Sequence, residues 1–554
     1  MPERLTELFR RLLLFDRLWL FLAVLFSFNN VFQGLCVGDF GWVLTHYKYF
    51  FEHPEFISHN IWLTNLIGGL WYRYVSDTVI GFRILFSLII GLSSFIAYKY
   101  LSSGKKVRFA GFGVFLTVLW INKYCLNWYY YDTLTSLFLL ITSIFLLRAV
   151  DEEKRKYFYI SGFFAGLSVF VRLPNFLVFA CLAVCFFRGR DAFREGALNS
   201  LRYTAGAAFG IVLCLFAIAL MGHWNYFVAS IYDVSSALEE SKSYSFRQIF
   251  FGIWGRVFVD VCSALLFVLI WRNLHFSIFS RNSKLYFFSI LLFCLVLHKY
   301  LIFWWVFLVP GMVILLMLER YKENQSSAEL CYISLLLLIT PSFGTNPELG
   351  MRNSIYGLWM GFPFLISSVI SGGSKLFSVL HENRAVFITG LIYICVYWLP
   401  YGIFDDMGSR FSMISAIEHP KLKYTFTSPQ RAMVFEKLLV KLNEMKNFKY
   451  AICQNRIPMV HYLTDMLPFV AAPWPETELG CTIGRNLKRS LEKNFSLPLL
   501  IRAKYATKAE WPKVKIPVED HLNVSNVIAG FVKDHKYEKI WENEMFEILI
   551  PGKN

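Results

Sequence analysis

Two aspartates stand where apolar segments end. Asp39 lies in VGDFGWVLTHYKYF (37–50), directly after LWLFLAVLFSFNNVFQGLC, and Asp132 closes the aromatic run WYYYD (128–132). Basic residues take comparable positions: Arg83, Lys123, Arg172 in VRLP, His298 with Lys299, and Arg352 after GTNPELGM. An ionisable group at membrane depth costs about 2.5–3.5 kcal/mol on insertion scales, so it usually faces a cavity or a partner. Any single arginine or lysine can snorkel to the headgroups, and that is its simpler reading. Aspartate is too short to do so. Cations near a lipid surface suit a phosphate or pyrophosphate headgroup, by charge and by donor geometry. A carboxylate beside them suits a general base that deprotonates a hydroxyl, or a ligand for a divalent metal ion. Transfer from a lipid phosphate uses both, since the leaving phosphate needs cations and the acceptor hydroxyl must lose a proton.

The elements that position these groups follow from composition. Of the 554 residues, 56% are hydrophobic, 18% aromatic and only 17% charged, whereas a soluble chain carries about 25% charged residues. Apolar runs of spanning length recur from residue 17 to residue 402, which predicts a polytopic α-helical membrane protein. The first run reads as a retained signal anchor. A net charge of +16 could attract nucleic acid, but the lysines and arginines cluster in short loops between the runs. That pattern is orientation by the positive-inside rule, and it excludes a nucleic-acid partner. With the basic loops in the cytoplasm, about thirteen helices are expected, N-terminus inside and C-terminus outside. Two intervals, 157–187 and 285–318, must each be a hairpin of short helices, turning near Arg172–Pro174 and His298–Tyr300.

The segment 38–79 would then be a long outer loop. It is rich in tryptophan, tyrosine and phenylalanine, as helices lying in the interface are, and it also carries His46, Lys48, His59 and Asn60. Residues 1–402 are read as the membrane domain and 403–554 as an outer, soluble α/β domain, where charges become frequent and no spanning run remains. Within it FKYAICQ (448–454) and FEILIP (546–551) read as strands and SPQRAMVFEKLLVKLNEM (428–445) as a helix. A bridge between Cys453 and Cys481 is compatible with that compartment. The chain shows no metal-type cysteine spacing, no phosphate-binding glycine loop and no nucleophile elbow.

Several stretches, in order, resemble the GT-C superfamily of membrane glycosyltransferases, which includes protein O-mannosyltransferases and the aminoarabinose transferase of lipid A. GDFG (38–41) resembles the Gly-Asp that follows the family's first helix. SHNIWLTNLIGGLWYRYVSDTVIGFRILFSLIIG (58–91) resembles its amphipathic loop helix and the arginine opening helix two. YYYDTLTSLFLLITSIFLLRA (129–149), ISGFFAGLSVFVRLP (160–174) and IPMVHYLTD (457–465) resemble later segments. The resemblance implies a GT-C-like fold and an inverting glycosyltransferase in a bacterial inner membrane. It would move a sugar from a polyprenyl-phosphate donor to a hydroxyl on a glycan, lipid or protein acceptor. It also implies Asp39 as base or metal ligand, Asp132 assisting, and Arg172, Lys299, Arg352 and Arg83 toward the donor phosphate. His59, Asn60 and Lys123 are the candidates for substrate contacts. Phe40 stands where many members have a second acid, and the family's lysine–proline–proline stretch is replaced by His59 and Asn60. The tryptophan–tryptophan–aspartate signature of oligosaccharyltransferases is absent.

Two other classes fit a polytopic chain acting on a lipid-linked substrate. A polysaccharide ligase or polymerase would use a large late outer loop, and here residues 345–354 are few. A transporter or flippase would show internal repeats, and none is evident.

Overall fold

The computed structural model describes residues 15–103, 107–187, 193–240, 246–273, 305–323, 328–343, 353–382, 401–403, 406–478, 480–493, 496–519 and 523–552, with six positions between 384 and 393. Lys299, Arg352 and the second hairpin tip lie outside them. The chain begins with α1 (Asp16–Ser27), runs through the irregular segment 28–38, where Gln33 forms an isolated bridge with Phe426, and enters α2 (Asp39–Tyr49) and α3 (Trp62–Tyr74). The segment 38–79, expected to carry helices within a long loop, contains these two. Next come α4 (Val79–Ser102), α5 (Ala110–Tyr124), α6 (Tyr131–Asp151) and α7 (Arg155–Val171). Thr78 caps α4 by accepting a hydrogen bond from Gly81 N at 3.1 Å, a normal N-terminal signal for a polar β-branched residue.

After α7 the chain breaks at Arg172 and returns as the 3-10 helix Leu173–Phe186, so the expected hairpin does turn there. Helices α8 (Phe193–Leu220), α9 (Trp224–Glu240), α10 (Phe246–Asn273), α11 (Trp305–Glu323), α12 (Ala328–Ile339), α13 (Gly361–Ser371) and α14 (Ser378–Glu382) complete the helical part. Among the described residues three helices are long and apolar enough to cross a membrane, α4, α6 and α8. The expected thirteen crossings are not confirmed. Helix α8 leaves Leu201, Phe209, Val212, Phe216 and Leu220 exposed, and packs its other side on α7 through glycines. A Cβ on Gly162 would sit 1.9 Å from Tyr203 O, and one on Gly206 2.1 Å from Tyr159 O. Small residues allow this approach in membrane helices, where dispersion and not water expulsion drives association.

From residue 401 the chain changes character. Short strands β1 (Tyr401–Ile403), β2 (Asp406–Ser409), β3 (Ser415–Ala416) and β4 (Phe426–Thr427) precede α15 (Pro429–Asn443). A five-stranded sheet follows, built from β5 (Tyr450–Gln454), β6 (Leu467–Pro468), β7 (Leu499–Ala503), β8 (Glu538–Glu542) and β9 (Phe546–Ile550), in the order β6-β5-β7-β9-β8. Strand β5 runs parallel to both neighbours, while β7, β9 and β8 are antiparallel. Three helices accompany it: α16 (Met459–Leu463), α17 (Gly480–Lys493) and α18 (Val524–Asp534). The strands expected at 448–454 and 546–551 and the helix expected at 428–445 are present. Cys453 is a buried free thiol.

The sheet is not a separate body. One apolar core runs from Val37, Phe40 and Tyr47 through Trp128 and Tyr129 to Cys453, Met459, Ile501 and Phe546. Strand β4 also reaches back to the first loop, where Phe426 N donates to Phe32 O at 2.8 Å and Gly34 N to Phe426 O at 2.8 Å.

Candidate functional site

Asp39 opens α2, and its placement is over-determined. Arg83, buried in α4, donates to the carbonyls of Val31 (3.3 Å) and Gly34. From the other side Asp406 accepts from Leu35 N (2.7 Å) and Thr427 Oγ1 (2.7 Å), and is paired with buried Arg431. Arg410 adds contacts to Asn29 O (2.7 Å) and Gln33 Oε1 (2.6 Å). The irregular segment leading to Asp39 is therefore held from both sides. Phe40, where a second acid was conceivable, is fully buried and stacked on Trp128 with centroids 4.7 Å apart, with Arg83 5.7 Å from its ring. That position is an anchor that fixes the first turn of α2.

The Asp39 side chain itself stays 28% exposed, and its Oδ2 accepts from Arg456 Nη2 at 3.0 Å. Helix α16 lies against α2 so closely that a Cβ on Gly41 would fall 2.4 Å from Met459 N. Met459 N in turn donates to Val37 O at 3.1 Å. The carbonyls at the end of α16 are capped by basic groups from elsewhere. Lys48 donates to His461 O (2.9 Å) and to Thr464 O, Lys421 to Tyr462 O (3.0 Å), and His419 Nε2 to Leu463 O (3.0 Å). These bonds satisfy carbonyls at the end of α16 that a single helical turn leaves without partners, so the stretch IPMVHYLTD (457–465) is a docking element for α2. Burial, with Lys421 close by, pushes the Lys48 amine down to about 7.

Asp132 begins α6, buried, with Arg172 Nη1 at 2.9 Å and Asn353 Nδ2 at 3.1 Å. Arg172 spends its other terminal nitrogen on the carbonyls of Thr340 (3.3 Å), Pro341 (2.9 Å) and Phe343. Its Nε has no hydrogen-bond partner. Between the two acids lie Tyr130 and Tyr131, rings 3.7 Å apart, both within electrostatic reach of Asp39 and Asp132. Arg172 also lies 5.5 Å from the Tyr131 ring.

The remaining candidates lie to either side. His59 is buried; its Nε2 donates to Pro54 O at 2.9 Å, which leaves Nδ1 as an acceptor with no partner. It stacks on Tyr226 and meets His223 edge-on, the latter accepting a hydrogen bond at Nδ1 from Trp62 Nε1 at 3.1 Å. Burial pushes the His59 imidazole down to about 4, and that of His46 in α2 down to about 3. Both are neutral at ordinary pH, so His59 offers an acceptor and not a positive charge. Asn60 accepts from Ser58 Oγ at 2.5 Å. Lys123 is half-buried in the last turn of α5. Among the described residues no group of three His, Cys, Asp or Glu side chains could hold a metal ion, and the cation beside Asp39 is a guanidinium. Among the described residues, the groups around Asp39 do not make a set that would hold a metal ion.

Sequence reasoning missed Arg456, Asn353 and the Tyr130–Tyr131 pair as site members. Arg456 immediately precedes the stretch that carried the resemblance, in QNRIP, where nothing local marks it.

No protein-family model matches the sequence, and no curated protein matches it. Solved structures do. The oligosaccharyltransferase AglB of Archaeoglobus fulgidus, in complex with an inhibitory peptide and a dolichol-phosphate, is similar over 88% of this chain and 69% of that chain, at TM-score 0.46 and 12% identity. A structure of the Archaeoglobus fulgidus oligosaccharyltransferase with zinc and sulfate gives TM-score 0.45 and 11% identity, over 88% of this chain and 68% of that one. A likeness this remote says nothing of what the present chain binds.

Proposed function

We propose that this protein is a polyprenyl-phosphate-dependent, inverting glycosyltransferase of the GT-C kind. It would move a sugar to a hydroxyl acceptor at the outer face of a bacterial inner membrane. The observation that carries the reading is the Asp39–Arg456 pair. It sets a carboxylate that is 28% exposed beside a guanidinium that is 21% exposed, at the head of an interfacial helix. The order of the resembling stretches supports it, as do the other acid–base groups gathered at the same helix ends.

In this reading the acceptor oxygen attacks the anomeric carbon from the face opposite the phosphate. Its proton passes to Asp39, the new C–O bond forms, and the bond from the anomeric carbon to the phosphate oxygen breaks with its electron pair on the phosphate. Asp132 and Arg172 act from behind: their buried pair holds the first turn of α6, and with it Tyr130 and Tyr131, against the reacting groups. Lys299 and Arg352 belong to the same proposal as further phosphate ligands, and Lys123, His59 and Asn60 as substrate contacts. Arg83 acts through the irregular segment that leads to Asp39, whose carbonyls at Val31 and Gly34 it holds.

The test is sugar transfer by purified protein in lipid, with radiolabelled polyprenyl-phosphate sugars and crude envelope acceptors. Asp39→Asn should abolish transfer at unchanged thermal stability. If the variant transfers as the wild type does, the base lies elsewhere. If the wild type neither binds nor transfers a lipid-linked sugar, a transport role takes precedence.

A further inference from the structure

The aspartate–arginine pairs Asp406–Arg431, Asp132–Arg172 and Asp39–Arg456 tie the described residues together, and they differ in access. Asp406–Arg431 is 1% exposed at each partner and Asp132–Arg172 no more than 5%, while Asp39–Arg456 stands open at 28% and 21%. A solvent-accessible pair contributes little to stability, and breaking a buried one costs far more. Of the three, Asp39–Arg456 is the pair that can exchange partners at little cost.

The backbone at Arg456 is arranged for such a task. Strand β5 runs parallel to both neighbours and ends at Gln454, and the carboxyl ends of parallel strands are where open α/β sheets present ligands. The chain then takes two successive left-handed residues, Asn455 at φ 70° and Arg456 at φ 63°. For a residue with a Cβ this conformation is unfavourable, and surrounding bonds must impose it. They do so here. Asn455 N donates to Glu476 Oε1 at 2.8 Å, Asn455 Nδ2 to Ala503 O at 2.6 Å, and Thr507 Oγ1 to Arg456 O at 2.8 Å. The guanidinium lies 4.9 Å from the Trp474 ring, which backs it without consuming a donor. The C-terminal region thus delivers one arginine, on a rigid and strained turn, to the carboxylate that heads α2.

Resting on the glycosyl-transfer reading, we propose that Arg456 is a partner-switching phosphate ligand supplied by the C-terminal region. Without donor it neutralises Asp39. When a lipid-linked phosphate arrives, the guanidinium turns to the phosphate oxygens, for which its planar fork is suited. Asp39 is then free to take the acceptor's proton. As the bond to the anomeric carbon breaks, the phosphate gains negative charge, so Arg456 binds it more tightly in the transition state than in the ground state. The C-terminal region in this way completes the site in the membrane part.

The experiment measures binding of a polyprenyl phosphate to the full chain in nanodiscs, together with kcat and KM for transfer. The proteins are wild type, Arg456→Gln and Arg456→Lys, each with its thermal midpoint. Loss of a charge-assisted hydrogen bond predicts at least about tenfold weaker binding for Arg456→Gln. A fall in kcat should accompany it, and added guanidine should restore part of the rate. Arg456→Lys should lie between the two. It keeps the charge, and so decides the matter if the glutamine variant does not fold. Transfer by wild type with both variants unchanged in binding and rate overturns the proposal while leaving the glycosyl-transfer reading intact. No binding and no transfer by wild type overturns both. Inorganic phosphate at equal concentration should bind far more weakly, and equal binding overturns the lipid-phosphate assignment.

Discussion

At the level of single residues, the site separates into one open acid and one buried acid with different work to do. Asp132 has its carboxylate divided between Arg172 and Asn353, and Arg172 ties it to the carbonyls after α12. Removing one member strands the other as an uncompensated charge, which costs about 3–5 kcal/mol. Asp132→Ala should therefore lower the thermal midpoint markedly, and the double variant Asp132→Ala, Arg172→Leu should recover much of the loss. A single variant as stable as wild type would show that the pair is not the buried contact described. The sequence placed Asp132 and Arg172 at helix ends on one side, because both follow directly from hydropathy breaks. Their being partners, forty positions apart, needed the α7 hairpin to fold back on α6.

At the level of elements, docking of α16 on α2 governs whether Arg456 reaches Asp39. Gly41 has no room for a side chain beside Met459. Overpacking of this kind costs about 1–3 kcal/mol, so Gly41→Ala should loosen residues 457–465 to limited proteolysis and reduce transfer. Equal proteolysis of variant and wild type would count against the close approach.

The same docking carries a pH signature through Lys48. An undocked lysine titrates near 10.4, while burial sets this one at about 7. Between those values the undocked state binds more protons than the docked one, so docking strengthens as pH rises from about 7 to 10. Below 7 the amine is charged in both states and this dependence vanishes. The thermal midpoint of wild type should rise relative to that of Lys48→Gln across that window, and parallel curves would remove Lys48 as the cause. IPMVHYLTD was recognisable in the sequence, but its role was not, because its partners Lys48, His419 and Lys421 lie in other segments.

At the level of the whole molecule, the apolar core that joins α2, α6 and the five-stranded sheet makes the C-terminal region and the first loop one cooperative unit. The buried Asp406–Arg431 pair pins the same junction, with Leu35 N donating to the aspartate. Hydrogen exchange should show residues 35–49 and the strands β5, β7 and β9 losing protection together as denaturant rises. A sheet that opens while α2 stays protected would overturn this, and would make the C-terminal region a tethered accessory. Asp406→Ala should shift both sets by the same amount.

The sequence by itself determined the apolar segments, the aromatic loop with its polar residues, the change of character near residue 402, and two strands and a helix beyond it. These are local properties: hydropathy, periodicity and capping act over a few to twenty residues, and their signal survives without a partner. It also brought forward Asp39, because a short acid at the end of an apolar run is costly wherever the rest of the chain goes. The tertiary structure alone decided what that acid meets. Arg456 lies 417 positions away, on a left-handed turn that forms only after β5 has found β7 and α16 has found α2. No local pattern encodes such a meeting, since it depends on the packing of two distant segments against a shared core.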